Sequence, residues 1–181
     1  MNGFYLAIGK QGSGKTAFIT KLLTDQYKTG MNVFSNYTLL DMTYEKIGAN
    51  CYKHITLDIL LNMLDRDTNS LNDSIILLDE IHIYLDSLDF MRSNNRRLQT
   101  FFSQLRKRNI LLFATTQYIM NVDIRIRRQC MNVFEMEHIY KDLFKVITHD
   151  IDGYFTKELN EFHINLSDYY SKYNTNEVIT E

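Results

Sequence analysis

Residues 9–16 read Gly-Lys-Gln-Gly-Ser-Gly-Lys-Thr, and this stretch constrains the fold more than any other part of the chain. Its glycines allow a tight turn whose backbone N–H groups point inward. A lysine and a hydroxyl residue follow at once. The segment matches G-x-x-x-x-G-K-[ST] in full, a pattern whose amides cradle phosphates. Gly9, Lys10, Gln11, Gly12, Ser13, Gly14, Lys15 and Thr16 are therefore read as nucleotide-binding, with ATP the expected ligand. Lys15 is expected to reach the β- and γ-phosphates and to act in catalysis, and the Thr16 hydroxyl to hold Mg2+. The flanks agree. Gly3 to Ile8 is an apolar run suited to a buried strand. A helix from Lys15 to about Lys28 would carry Phe18, Ile19, Leu22 and Leu23 on one face and aim its positive dipole end at the phosphates.

The same alternation continues. Thr29-Gly30 ends the helix, and Asn32 to Ser35 reads as a second strand. Thr56 caps a helix whose Leu57, Leu60, Leu61 and Leu64 repeat at helical spacing. Asp65 to Asp73 is a polar loop, and Ser74 to Leu78 is a buried strand. Arg96 to Lys107 predicts a helix with Leu98, Phe101, Phe102 and Leu105 inward. Ile110 to Thr115 and Val133 to Glu137 follow as strands. Leu143 to Thr148 and Tyr154 to Phe155, joined through Asp152-Gly153, predict a hairpin, and the polar tail after Tyr169 is expected to be loosely ordered. Strands separated by helices imply an α/β fold with a mostly parallel sheet and helices on both faces. The 181 residues suit one domain: a core over about 1–138, then the hairpin and tail over about 139–181.

Two further segments carry chemistry. Ser74 to Leu78 runs into Asp79-Glu80. A carboxylate at that strand tip can hold the Mg2+ water shell, the role expected of Asp79. The next acid, Glu80, is placed to polarise an attacking water as a general base. That second acid favours hydrolysis over phosphate transfer to a substrate hydroxyl. Phe113-Ala114-Thr115-Thr116-Gln117 ends another buried strand. Strand C-termini of such sheets face the ligand crevice, so Gln117 is expected to touch the γ-phosphate or the attacking water. His82, two residues past Glu80, reads as a packing or interface residue rather than a catalytic one.

A net charge of −2 means that any nucleic-acid contact must come from a local basic patch or a ring of subunits. Cys51 and Cys130 stand far apart in no ligand-spaced motif, which argues against zinc and fits a reducing compartment. No apolar run approaches the roughly 18 residues of a membrane span, and the first residues do not read as a signal peptide.

The three motifs, in this order, resemble the FtsK–HerA superfamily of DNA-pumping ATPases. Within it the chain resembles viral genome-packaging ATPases and the N-terminal ATPase domain of zonula occludens toxin-like phage assembly proteins. The resemblance covers roughly residues 3 to 136. Its specific part is Leu105 to Gln117, where these translocases show an arginine, a short gap, an apolar strand and a Thr-Gln ending. Val33-Phe34-Ser35-Asn36 is similar too, as is Tyr173-Asn174-Thr175, where the relatives often have Tyr-Asp-Thr. The resemblance implies a RecA-like core, a homo-oligomeric ring, usually a hexamer, and ATP-driven movement of double-stranded DNA. It puts Arg106 at the arginine-finger position, reaching a neighbouring subunit's ATP. It implies a capsid or portal vertex partner and a place in the host cytoplasm or the virion.

Other basic residues leave several roles open. Arg92, Arg96 and Arg97 lie in a polar stretch read as a loop that would face a pore and contact DNA phosphates. Arg125, Arg127 and Arg128 fit a subunit interface, a γ-phosphate sensor, a DNA contact or plain surface. Three other functions compete with a packaging motor. These are a toxin-like ATPase for filamentous phage assembly and extrusion, a small-molecule P-loop kinase, and a nucleotide-regulated binding module.

Overall fold

Alternation along the strands sets the layering. In β1 (Gly3–Ile8), Phe4 and Leu6 enter one apolar layer while Tyr5 and Ala7 enter the other. A strand whose two faces are both buried needs helices on both sides of its sheet. A computed structural model describes residues 2–28, 30–40, 52–66, 68–83, 93–152 and 155–177 and shows that arrangement. Thr29, Cys51, Arg92, Gly153 and Tyr154 lie outside the described residues.

The elements follow in order: α1 (Lys15–Gln26), β2 (Asn32–Ser35), β3 (Tyr52–His54), α2 (Leu57–Arg66), β4 (Ser74–Leu78), α3 (Ser93–Gln104), β5 (Ile110–Thr116), α4 (Ile124–Arg127), β6 (Cys130–Tyr140), β7 (Leu143–Asp152) and β8 (Phe155–Asn165). Short 3-10 turns cover Thr68–Leu71, Ile81–Ile83, Ile119–Asn121 and Ser167–Lys172. One eight-stranded sheet has the order β3-β2-β4-β5-β1-β6-β7-β8. From β3 to β6 every pairing is parallel; β7 and β8 add on antiparallel.

The register matters for function. Ile8 pairs with Thr116, and Leu78 pairs with Ala114. The C-terminal ends of β1, β5 and β4 therefore share one edge of the sheet, with β5 in the middle. Residues just past those ends are the glycine-rich loop, Gln117 and the Asp79-Glu80 pair.

Leu60 and Leu61 of α2, Leu98, Phe101 and Phe102 of α3, and Ile126 of α4 pack one face together with Phe34, Ile76 and Leu112. Phe4 meets Phe102 edge-on, with ring centroids 4.9 Å apart. On the other face, Ala17, Phe18, Ile19 and Leu23 of α1 cover Tyr5, Val33, Ile75, Leu77 and Phe113. Phe144 and Val146 of β7 extend that second layer, so the antiparallel strands share the core of the parallel ones.

Three expectations shift. The helix expected over Arg96 to Lys107 starts at Ser93 and ends at Gln104. Its exit is set by Asn109, which adopts a left-handed conformation (φ 55°), and by the Ile110 N–H, which donates to the Leu105 carbonyl at 2.9 Å. Arg96 and Arg97 thus sit inside the helix, as its expected bounds had them, and not in a pore-facing loop. The C-terminal hairpin is much longer than expected, because β7 and β8 run ten and eleven residues. The segment after Tyr169, expected to be loose, is tied to the end of β2. The Leu40 N–H donates to the Lys172 carbonyl at 2.7 Å, and the Asn174 N–H donates to the Thr38 carbonyl at 3.0 Å. Tyr173 is buried against Tyr37 with ring centroids 5.9 Å apart. Polar residues there hid a segment held by backbone pairing and one aromatic anchor.

Candidate nucleotide-hydrolysis site

The loop after β1 needs its glycines for steric reasons. Gly9 has φ 146°, and a Cβ there would lie 2.4 Å from the Met136 carbonyl of β6. Gly14 has φ 80°, and a Cβ there would meet the Phe144 ring at 2.9 Å. The Lys15 side chain curls back, its Nζ donating to the Gly9 and Lys10 carbonyls at 3.0 Å each. Burial lowers its pKa below the usual lysine range, opposed by the charges of Glu80 and Asp79. An anion between these groups would stabilise the charged form of Lys15.

Asp79 is held from three sides. Asn36, at the end of β2, donates Nδ2–H to the Asp79 carbonyl at 2.8 Å and accepts the Asp79 N–H at 2.7 Å. The Thr16 hydroxyl stands 3.1 Å from each Asp79 carboxylate oxygen, and the Thr115 hydroxyl donates to Oδ1. Burial raises the Asp79 pKa, although both hydroxyls work the other way. A hydroxyl and a carboxylate facing each other at this distance are hard oxygen donors. They fit Mg2+, which keeps several waters and takes its other ligands from substrate phosphates. Among the described residues no cluster of three or more His, Cys, Asp or Glu competes for a metal.

Glu80 is held differently. Its backbone is left-handed (φ 50°), a conformation that costs a non-glycine residue about 1–2 kcal/mol. The Glu80 N–H donates to Thr115 Oγ1 at 2.9 Å. Glu80 Oε2 is buried, and among the described residues no hydrogen-bond donor is aligned on it. A carboxylate oxygen with an unused lone pair, one residue past Asp79, is what a general base awaiting water requires. His82 Nδ1 lies 3.2 Å from Oε2.

These groups open onto a chamber of about 310 Å3. Gln11, Gly12, Gly14, Lys15 and Thr16 line it together with Tyr37, Asp79 and Glu80, and Tyr170, Tyr173, Asn174, Thr175 and Glu177 add a C-terminal wall. The sequence reading missed that last wall, whose one signal was the Tyr173-Asn174-Thr175 triplet. Glu177 fixes it by accepting the Thr38 N–H at 2.6 Å and the Thr38 hydroxyl at 3.2 Å. Gln117 lines a neighbouring groove with Gly9, Lys10, Ser13 and Met120, not the chamber of the acid pair.

The arginines separate. The Arg106 stem passes 3.8 Å from where a Gly3 Cβ would be, at the far end of β1 from the glycine loop. Six residues of strand put it roughly 20 Å from the phosphate site of its own chain. Arg97 pairs with Asp65 of α2 at 3.0 Å, both exposed. Arg125 grips Asp123 through Nε at 3.0 Å and Nη2 at 2.7 Å, and Asp123 also caps α4 by accepting the Arg125 N–H. That pairing lowers the Asp123 pKa. Arg127 is buried beside Met120, and Arg128 is exposed at the end of α4. Among the described residues no arginine lines the chamber or the groove beside it.

A glycine loop between strand and helix, a buried aspartate across from the loop threonine, and a following glutamate define a P-loop nucleoside triphosphatase. The sequence matches the profile of the ATPase family associated with various cellular activities (AAA) over residues 5–138, and the chain belongs to that family. No curated protein matches the sequence. Solved structures share the fold. The N-terminal domain of zonular occludens toxin from Neisseria meningitidis aligns with TM-score 0.67 and 16% identity, over 96% of this chain and 100% of that one. B204, the DNA-packaging ATPase of Sulfolobus turreted icosahedral virus, aligns with TM-score 0.59 and 14% identity, over 88% and 98%. The genome packaging NTPase B204 of Sulfolobus turreted icosahedral virus 2, in complex with ATP-gammaS, aligns with TM-score 0.57 and 10% identity, over 88% and 97%. These likenesses are of fold, and they include the two kinds of ATPase that the motifs resemble.

Proposed function

We propose that this chain is a Mg2+-dependent ATPase that moves double-stranded DNA as a homo-oligomeric ring, in the manner of a viral or mobile-element genome-packaging motor. One observation carries the oligomeric part: the hydrolytic chamber holds loop, lysine and both acids but no arginine among its described lining residues. Arg106 is too far to serve its own site and sits on the outside of the fold, free to serve a neighbour's. Such an arginine stabilises the charge that develops on the transferring phosphoryl group and is worth about 10³–10⁵ in rate.

In this reading the loop amides and Lys15 bind the ATP phosphates. Thr16 and Asp79 hold Mg2+, which shields the phosphate charge when bound. Glu80 takes a proton from the attacking water, and Gln117 senses the γ-phosphate from the groove side of the loop. Arg96 and Arg97 of α3, with Arg92 ahead of them, are the candidate DNA contacts, and Arg125, Arg127 and Arg128 remain assigned to an interface or to DNA. The cargo identity is supported by the fold likeness to a DNA-packaging ATPase.

The near-complete mutual coverage with the zonular occludens toxin domain favours a second reading, an ATPase for phage assembly and extrusion. Steady-state ATPase rates with and without double-stranded DNA, measured alongside particle mass, separate the two. A ring whose rate rises with DNA supports the motor; a ring indifferent to DNA favours assembly; a monomer with an unchanged rate overturns the proposal. Arg106→Ala should hydrolyse poorly alone yet recover part of its activity when mixed with Lys15→Ala, because the Lys15→Ala subunit lends its intact Arg106 to the intact loop of its neighbour. Failure of that mixture to recover removes the arginine assignment.

A further inference from the structure

We infer that His82 is a positioning residue for hydrolysis: with Thr116 it holds the Glu80 carboxylate in line for the attacking water. The inference rests on the reading of Glu80 as the general base.

The geometry is specific to two adjacent threonines at the end of β5. Thr115 Oγ1 donates to the Asp79 carboxylate and accepts the Glu80 N–H at 2.9 Å, which fixes the backbone of the acid pair. That contact leaves the Glu80 side chain undetermined. The next residue, Thr116, reaches the side chain through the histidine: its Oγ1 lies 3.3 Å from His82 Nδ1, and the same nitrogen lies 3.2 Å from Glu80 Oε2. Thr116 itself is fully buried, so its hydroxyl is a fixed point.

One nitrogen between two oxygens selects a tautomer. A carboxylate cannot face the imidazole lone pair at this distance without repulsion, so Nδ1 carries the hydrogen. The Thr116 hydroxyl then turns its own hydrogen towards the Tyr118 carbonyl, 3.5 Å away, and offers Nδ1 a lone pair. The ring is thereby pinned to the strand, and its N–H dipole lies beside Glu80 Oε2 at 3.2 Å without the alignment of a hydrogen bond, which leaves that oxygen's lone pair to the water. Glu80 needs such a support more than most side chains, because its left-handed backbone aims it away from the direction a strand residue would take. His82 can supply it because the 3-10 turn Ile81–Ile83 brings the ring back over the strand ends. Ile81, fully buried, and the Ile83 N–H, bonded to the Glu80 carbonyl at 3.0 Å, hold that turn in place.

The arrangement also joins the two sides of the loop. Gln117 follows Thr116 directly and faces the groove beside Gly9 and Lys10.

Kinetics of six variants test this, each checked for folding by thermal melt. His82→Ala should lower kcat about 10-fold or more, a share of the roughly 10²–10⁴ that a placed base supplies, with KM for ATP within about 2-fold. His82→Asn carries an amide nitrogen where Nδ1 stands and should recover most of the rate; His82→Gln, which reaches past that point, should not. Thr116→Val should act in the same direction as His82→Ala and serves if the alanine variant fails to fold. In a Glu80→Gln background His82→Ala should change the residual rate no further. The inference is overturned if Glu80→Gln abolishes hydrolysis while His82→Ala and Thr116→Val keep the wild-type kcat, or if His82→Ala costs as much in the Glu80→Gln background as alone. Wild-type hydrolysis by Glu80→Gln would instead sink the general-base reading, a different result.

Discussion

Asn36 and Asp79 hold each other by two reciprocal hydrogen bonds, side-chain amide of one to peptide group of the other, at 2.8 and 2.7 Å. Asn36 closes β2 and Asp79 follows β4, so the pair ties two strand ends together at the point where Mg2+ is expected. Neither contact involves the Asp79 carboxylate, which is left for Thr16, Thr115 and the metal.

Removing the amide leaves a buried N–H and a buried carbonyl without partners. Asn36→Ala should therefore destabilise the nucleotide-free protein by about 1–3 kcal/mol. It should also lower kcat, because the acid pair loses its backbone anchor. Urea denaturation and steady-state ATPase assays check both; unchanged stability would mean that water replaces the amide.

Asp79→Asn should act in opposite directions on stability and function. Burial raises the Asp79 pKa, so the folded state binds a proton more readily than the unfolded chain. Stability linked to this group is full at low pH. It falls as pH rises from the unfolded value, about 3.9, through the raised folded value, and is flat above. At neutral pH without nucleotide or metal, the asparagine variant should melt higher than the parent, and the gap should widen across that acidic interval. With ATP and Mg2+ the parent should gain stability by ligand linkage, and the variant should gain far less. Differential scanning fluorimetry across pH, with EDTA or with Mg2+ and nucleotide, reads every part of this.

Glu177→Ala should release the C-terminal wall of the chamber. The carboxylate takes both the N–H and the hydroxyl of Thr38, and hydrogen bonds to a charged acceptor are worth about 1.5–3 kcal/mol. The expected result is weaker ATP binding with little change in kcat at saturation, since Lys15, Asp79 and Glu80 are untouched. A fluorescent ATP analogue titration distinguishes this from the Glu80→Gln phenotype, in which binding persists and turnover stops.

Gly14→Ala combines a backbone penalty at φ 80° with a Cβ placed 2.9 Å from Phe144. Loss of nucleotide binding is expected. Shortening the ring in Gly14→Ala/Phe144→Leu should restore part of the fold's stability but not binding, because the φ penalty remains. Full recovery of binding would show that the ring alone was the obstacle.

The local code was legible wherever one segment supplied its own reason. The glycine loop, the strand–helix alternation and the Asp79-Glu80 tip each follow from residue types at fixed spacing, and β1, β2 and β4 match their expected bounds. Other features are built from distant segments. The Tyr173–Glu177 wall depends on backbone pairing with residues 38–40, and no periodicity in a polar tail records that. His82 read as a packing residue because nothing in its neighbours reveals that β5 would bring Thr116 beside it. The start of α3 at Ser93, three residues before the expected Arg96, was hidden because its first turn is polar and its apolar face begins at Leu98.

By itself the sequence determined the chemistry at the loop and the acid pair. Glycine freedom, a lysine, a hydroxyl and two carboxylates are properties of the residues, and they hold wherever the chain places them. The tertiary structure decided what those groups do to one another. Placing β5 between β1 and β4 put Thr115 against both acids and Thr116 against His82, and the same register carried Arg106 to the opposite edge of the sheet. Parallel pairing fixes which strand ends meet, so it made the glycine loop and the acids one chamber and left the arginine outside it.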